Sequence, residues 1–390
     1  MELCILKEVL GSPANIVIRN EECLLTRTVP EESWVVGDTS HPRCADTLCQ
    51  IYGTSIPKIY SNSEQKTFEV LGKDPNDVPW VQVLGSKVIK DRIKHISDHL
   101  EDVLGKPGRQ TYNNIYLVTR SLLGDLSPAH VCIEKLNEFI ANEENSSLRT
   151  CLESFRPDRS MQARKVEYSQ TSTTTGRLTV KRGPSILTLP AKYRSILKSR
   201  YEKGSIVSID FKSLEPRVAL SVRGKYAPTD VYTHIADNIL GGKTTRSVAK
   251  IATIAALYGI SFKKFKEMSG CSDYDVLDKV KNFFAVKSMT KNLLGPKFTN
   301  FWGRPLDDET LPHVRISHYI QSTSCDTVNV GFYNFLRKLR QEKIEFTPIF
   351  VLHDALILDV LQDHVERVVG ACSDGIDTPL GNFPTTCEKF

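Results

Sequence analysis

The 390-residue sequence predicts an α+β fold, and three observations carry that expectation. Short apolar runs broken by Gly, Pro and Asn fill residues 1–86, apolar positions at helical spacing fill residues 87–155, and strand-like and helical runs then follow without the regular βαβ rhythm of a parallel sheet. At 40% hydrophobic residues the chain can bury a substantial core and has room for two or three domains. No apolar run approaches a membrane span, and residues 1–20 lack the tripartite pattern of a secretory signal, so a cytoplasmic protein without a membrane partner is expected.

Taken in order, residues 15–19, 33–36 and 80–84 read as strands of a small mixed α/β module whose role the sequence does not disclose. Val88, Ile89, Ile93, Ile96, Leu100 and Leu104 then recur at three to four residues and predict a helix that Gly105, Pro107 and Gly108 end. Further helices are expected over residues 112–123 and 128–142, and the Thr/Ser-rich run 170–175 reads as a loop. The 10 cysteines are scattered, which suggests neither a zinc knuckle nor a disulfide ladder. The net charge of +5 does not by itself identify a nucleic-acid binder. Its distribution is more informative, because residues 181–203 hold a basic strip interleaved with Tyr193 and Tyr201, suited either to a phosphate backbone or to an ordinary solvated surface.

Two acids stand out. Ile206 to Ile209 form a short apolar strand ending at Asp210, and Ser213-Leu214-Glu215-Pro216 reads as a helix start, with Ser213 as the cap and Pro216 in the first turn. Glu215 is thereby expected close to Asp210. Residues 348–358 read as a hairpin with Asp354 at its tip. Two carboxylates on adjacent antiparallel strands suit a pair of divalent ions ~3.5–4 Å apart, with magnesium the natural choice for oxygen ligands. Taken singly, a strand-end aspartate more often caps a turn. Between the acids, residues 244–258 lack Gly and Pro and precede Gly259, a helix terminator. Arg246, Lys250, Ile254 and Tyr258 share one face at four-residue steps, a pattern that fits a triphosphate and base or, alone, a core helix with a basic end.

Together these segments resemble family A DNA polymerases, the group of bacterial DNA polymerase I and many phage replicases, in a short form without a proofreading exonuclease. The family's Asp-Tyr-Ser-Gln-Ile-Glu-Leu-Arg is similar to Asp210-Phe211-Lys212-Ser213-Leu214-Glu215-Pro216-Arg217. Its finger helix resembles Arg246 to Gly259, and its Val-His-Asp-Glu resembles Leu352-His353-Asp354-Ala355. Thr175-Gly176-Arg177-Leu178 and Gln321-Ser322-Thr323-Ser324-Cys325-Asp326 match two further blocks in the right order, so the resemblance covers residues 162–390.

The resemblance implies a right-hand fold: a module at 1–86, a helical thumb at 87–160, an antiparallel-sheet palm at 161–222 and 309–390, and helical fingers at 223–308. It implies that Asp210 and Asp354, with the Phe211 carbonyl, hold two Mg2+ ions, for which Mn2+ would substitute, and that a primer 3′-hydroxyl attacks the α-phosphate of a dNTP. Glu215 would exclude a ribose 2′-hydroxyl, Arg246 and Lys250 would grip the triphosphate, and Lys250 would assist the leaving pyrophosphate. Ile254 and Tyr258 would meet the nucleotide, Tyr258 and Gly259 would control the template position, and Arg177, Gln321 and His353 would contact primer-template DNA. Closure of the finger helix would limit turnover. Two departures matter: Ile254 stands where the family has an aromatic residue, and Ala355 where it has Glu. The N-terminal half is too short for a nuclease, so a separate exonuclease or replisome protein is an expected partner, docking on residues 1–86. By analogy the chain is a phage or mobile-element replicase. The rivals are a single-subunit RNA polymerase, against which Glu215 argues, and a catalytically silent primer-template binder.

Overall fold

The computed structural model describes residues 1–295 and 297–390. The chain forms two compact units, Met1–Gly124 with Gly303–Pro305, and Asp125–Trp302 with Leu306–Phe390. No helix among the described residues is long and apolar enough to cross a membrane.

The first unit contains a four-stranded sheet of β1 (Glu2–Ile5), β2 (Asn15–Arg19), β3 (Glu22–Thr26) and β4 (Trp34–Val36) in the order β3-β2-β1-β4. β1 pairs antiparallel with β2 and parallel with β4. β2 and β3 join through Asn20 and Glu21, both at positive φ, as a two-residue hairpin turn requires. Two of the expected strands are β2 and β4. The third, over residues 80–84, is instead a short helix, Trp80–Val83. Trp80 and Leu84, four apart, are buried while Val81 and Val83 are exposed, which is the helical period. The long expected helix is α1 (Ser86–Gly105), with Ile89, Ile93, Ile96 and Leu100 buried. Val88 is 40% exposed, and Val103 takes a place in the buried row that the sequence reading had not assigned to it. α2 (Arg109–Asp125) follows and turns the buried Tyr112 and Tyr116 into this unit; the Tyr116 hydroxyl donates to the Cys44 carbonyl at 3.1 Å.

The second unit is built on an antiparallel sheet of β5 (Gly204–Phe211), β6 (Phe346–Leu352), β7 (Ala355–Leu361) and β8 (Thr385–Lys389), ordered β6-β7-β5-β8. β7 is buried along almost its whole length and pairs with β5 so that Ala355 lies opposite Asp210. The helix expected from residue 128 begins later, as α3 (Ile133–Asn142), because His130–Val131 pairs as a short strand with Leu197–Lys198. α4 (Leu214–Ser221) leaves the end of β5. α5 (Arg246–Tyr258) sits in a helical cluster whose core includes Ala249, Ala252, Ala255, Ala256, Phe265 and Phe284. Four alanines on its inner face let the neighbouring helices approach closely.

α6 (Pro312–Gln341) links cluster and sheet. Ile316 and Ile320 belong to the helical core, while Phe332 lies 5.2 Å from the Phe211 ring of β5. Gly331 is where α6 comes closest to the sheet side: a Cβ there would lie 3.1 Å from Thr378 and 3.3 Å from Phe211. The helix also buries a polar row. The Asn300 amide donates to Ser322 Oγ at 3.0 Å and to Asp326 at 2.6 Å, and Trp302 Nε1 donates to Thr327 at 3.1 Å.

Candidate active site

The two acids predicted from sequence are brought side by side by strand pairing. β6 and β7 join through a turn of two residues, His353 and Asp354, with His353 at φ 53°. The Phe211 amide of β5 donates to the Asp354 carbonyl at 3.3 Å, which carries the ladder into the turn. Asp210 opens onto the cleft, yet the protein around it strips part of its water, and the charges of Asp354 and Glu388 lie nearby. Burial first and those charges second push its carboxyl up to about 7 from the ordinary 3.8. Among the described residues neither Asp210 nor Asp354 has an ion-pair partner, and no group of three or more His, Cys, Asp or Glu is placed to hold a metal. Two uncompensated carboxylates beside a backbone carbonyl form a hard-oxygen donor set that fits magnesium.

The turn into α4 differs from expectation. Ser213 is left-handed at φ 52° and its side chain caps no helix N-H. Both Ser213 and Tyr232 line the cleft. Order in the turn comes from Arg217, 4% exposed, whose Nε donates to the Lys212 carbonyl at 2.8 Å and Nη2 to the Thr229 carbonyl at 2.5 Å. One buried guanidinium thus staples the acid-bearing strand end to the segment before Asp230.

Glu215 sits in a polar cluster. The Tyr258 hydroxyl donates to both carboxylate oxygens, at 2.6 and 2.8 Å, and Arg177 Nη2 donates at 3.0 Å. Gln321 lines the same cleft as this cluster. Burial, then the bond to Glu215, raises the Tyr258 phenol far above its usual range, so it remains a donor.

α5 starts two residues later than the sequence suggests, with Thr245 as its cap accepting from the Val248 amide at 3.3 Å. Arg246, Lys250, Ile254 and Tyr258 line one cleft of about 830 Å³ together with Asp210, Phe211, Asp354, His353, Glu215, Arg177 and Gln321. Gly259 does not line it. This residue ends α5 at φ 66°, and a Cβ there would lie 2.7 Å from the His313 carbonyl of α6, so the position admits only glycine for reasons of packing. Ala355 is buried under the turn.

The basic strip over residues 181–203 is partly consumed inside the fold. Arg200 Nε lies 3.5 Å from Asp359, which is 1% exposed, and the partly buried Arg194 lies over Phe390. Lys181, Arg182, Lys192, Lys198 and Lys203 remain exposed, Lys192 lying over the Tyr193 ring. None of the ten cysteines is in a disulfide.

Sequence reasoning missed Asp230 and Tyr232, which line the cleft, and Ser324, Cys325 and Asn329 of α6. The α6 residues share a face with Gln321 at helical spacing, a signal that a periodicity reading from Gln321 onward detects. Asp230 carries the signature of a helix cap before Val231, which says nothing of the Arg246 it meets 16 positions away.

No family model and no curated protein sequence matches the chain. Among solved structures, the polymerase domain of Pol1 from M. smegmatis, in complex with DNA primer-template and dNTP, is similar. Its TM-score is 0.59 and its identity 11%, and the match covers 88% of this chain and 80% of that one. At this identity the likeness is one of fold, and the chain has the fold of that polymerase domain.

Proposed function

We propose that this chain is a template-directed DNA polymerase of the family A type, extending a primer 3′-hydroxyl with dNTPs, with no proofreading nuclease within these 390 residues. One observation carries the reading: Asp210 near the end of β5 and Asp354 in the turn before β7, the strand that pairs with β5, line the same cleft as the Arg246–Lys250 face of α5. The similar polymerase domain, bound to primer-template and dNTP, supports it. In this reading the β5–β8 sheet is the palm, the helices around α5 are the fingers, residues 87–160 form the thumb, and the partners are primer-template DNA and dNTPs.

Asp210, Asp354 and the Phe211 carbonyl would hold magnesium, which supplies Lewis-acid activation of the attacking and leaving oxygens when bound. The chain's own groups do the rest. Arg246 and Lys250 neutralise and orient the triphosphate, and Lys250 stabilises the departing pyrophosphate. The Glu215 carboxylate, held by Tyr258 and Arg177, fills the space beside the sugar and so selects deoxynucleotides. Arg177, Gln321 and His353 meet the primer-template end.

The test is extension of a labelled DNA primer on a DNA template with magnesium, comparing dNTPs with rNTPs and the native chain with Asp210→Ala. Extension by dNTPs alone, lost in the variant, is the expected result. Use of rNTPs makes the chain an RNA polymerase, and tight duplex binding without extension makes it a silent binder. An Asp354→Asn variant that still extends primers removes the metal assignment.

A further inference from the structure

Arg246 stands at the first position of α5, on a long side chain that is 54% exposed, yet it is held at two points. Its Nε donates to Asp230 Oδ2 at 2.9 Å. Its guanidinium lies 5.3 Å from the centre of the Tyr232 ring, a cation–π distance. The other oxygen of Asp230 is already committed, accepting the Tyr232 and Thr233 amides at 3.0 Å each as the cap of a short helix. The carboxylate therefore cannot rotate freely, and the fork of Arg246, Nη1 and Nη2, is left without a hydrogen bond among the described residues.

We propose that Asp230 is a positioning residue that aims the Arg246 fork at the phosphates of an incoming nucleotide; the inference rests on the polymerase reading of the cleft. Four observations carry it. The pair adds little to stability, because both side chains are about half exposed and water screens them. Asp230, Tyr232 and Arg246 line the same cleft as Asp210. Only Nε is engaged, whereas a pair built for strength uses two parallel bonds and spends the fork. Lastly, Asp230 is tied to the acid-bearing strand, since Arg217 joins the Thr229 carbonyl to the Lys212 carbonyl, two residues beyond Asp210. The guanidinium is thus indexed to the carboxylates through a rigid chain of hydrogen bonds as well as through α5. Holding the group in place beforehand spares the ordering cost at binding.

Asp230→Asn separates the two duties of the residue. Asparagine keeps an oxygen to cap the helix but places an NH2 where Oδ2 accepts from Nε. Single-nucleotide incorporation is measured for the native chain, Asp230→Asn, Arg246→Ala and the double variant, and binding of a fluorescently labelled dNTP is measured for the same four proteins. In Asp230→Asn the KM and the Kd for the labelled nucleotide are expected to rise about 3- to 10-fold, the effect of one lost hydrogen bond, with kcat within about two-fold and Tm unchanged. In the Arg246→Ala background the same substitution is expected to change neither by more than about two-fold. A lower Kd in Asp230→Asn, meaning that the carboxylate repels the triphosphate, overturns the inference. So does an equal rise in the absence of Arg246, which would mark a structural role. If the native chain binds the nucleotide with the expected coupling but extends no primer, the polymerase reading fails while the Asp230–Arg246 assignment stands; if it binds no nucleotide, both fall.

Discussion

Replacing Asp210 with asparagine is expected to stabilise the protein while abolishing primer extension. Its carboxyl is raised from 3.8 to about 7 in the folded chain, by burial first and by Asp354 and Glu388 second. Because the folded state holds this proton more tightly than the unfolded state does, the group costs nothing below about pH 4. The cost grows as pH rises through the interval and is fully present above about pH 7. A shift of that size corresponds in full to about 4 kcal/mol, and since the carboxyl opens onto the cleft, solvent screening reduces the expected value to about 1–2 kcal/mol. For a unit of this size that is a Tm increase of about 3–6 °C. Thermal melts in EDTA at pH 8 and pH 4.5 measure it. The gain should be present at pH 8 and mostly absent at pH 4.5, where the native carboxyl is already neutral, and magnesium at pH 8 should shrink it by stabilising the native chain alone. An Asp210→Asn chain that melts at or below the native Tm at pH 8, or whose gain persists unchanged at pH 4.5, refutes the electrostatic reasoning.

Three further outcomes follow from the packing. Glu215→Ala should raise incorporation of rNTPs relative to dNTPs by about 10- to 100-fold in a competition assay, as expected for removing a steric barrier, and should lower stability by about 1–2 kcal/mol because Arg177 and the Tyr258 hydroxyl lose their acceptor. Gly259→Ala should shift the urea midpoint downward by an amount equivalent to at least about 2 kcal/mol, since the residue is left-handed at φ 66° and its Cβ meets the His313 carbonyl at 2.7 Å. Asp359→Ala should cost about 3–5 kcal/mol in a denaturant titration, because the 1% exposed carboxylate accepts from Ser199 Oγ and the Arg200 amide and is the counter-charge 3.5 Å from Arg200 Nε.

The parts of the site that local chemistry dictates were legible in the sequence. An apolar run ending in Asp210 gives a strand, a hairpin pattern around His353-Asp354 gives the second acid, and the four-residue steps closed by Gly259 give α5 and its face. Each depends on a period or a terminator within some fifteen residues. What escaped depends on distance. Ser213 looked like a cap, but the sharp path from β5 into α4 holds it left-handed and its side chain caps no helix N-H. Trp80 to Leu84 reads as a short strand-like run, yet it folds as a helical turn with Trp80 and Leu84 inward. β1 and β3 gave no usable signal, since each is a short strand defined by its partners. The Asp230–Arg246 pair joins two segments with nothing local in common.

Two kinds of group meet in the cleft, and neither is there for stability. Asp210 at the strand end and Asp354 in the turn repel one another, and Lys250 has no ion-pair partner among the described residues. Such groups keep their places only if the frame that carries them is stable without them. α6 provides much of that frame: Phe332 and Gly331 fix its lower half against Phe211 of β5, while Ile316 and Ile320 fix its upper half in the core around α5. Between the two, Ser322, Asp326 and Thr327 spend their polar atoms on Asn300 and Trp302, which sets the rotation of the helix as well as its position. Gln321, Ser324 and Cys325, facing the cleft from that same stretch, inherit their orientation from bonds made on the opposite side. The carboxylates and the basic face of α5 therefore share one mechanical reference, so a change in the buried polar row of α6 acts on both sides of the cleft without touching a single residue that lines it.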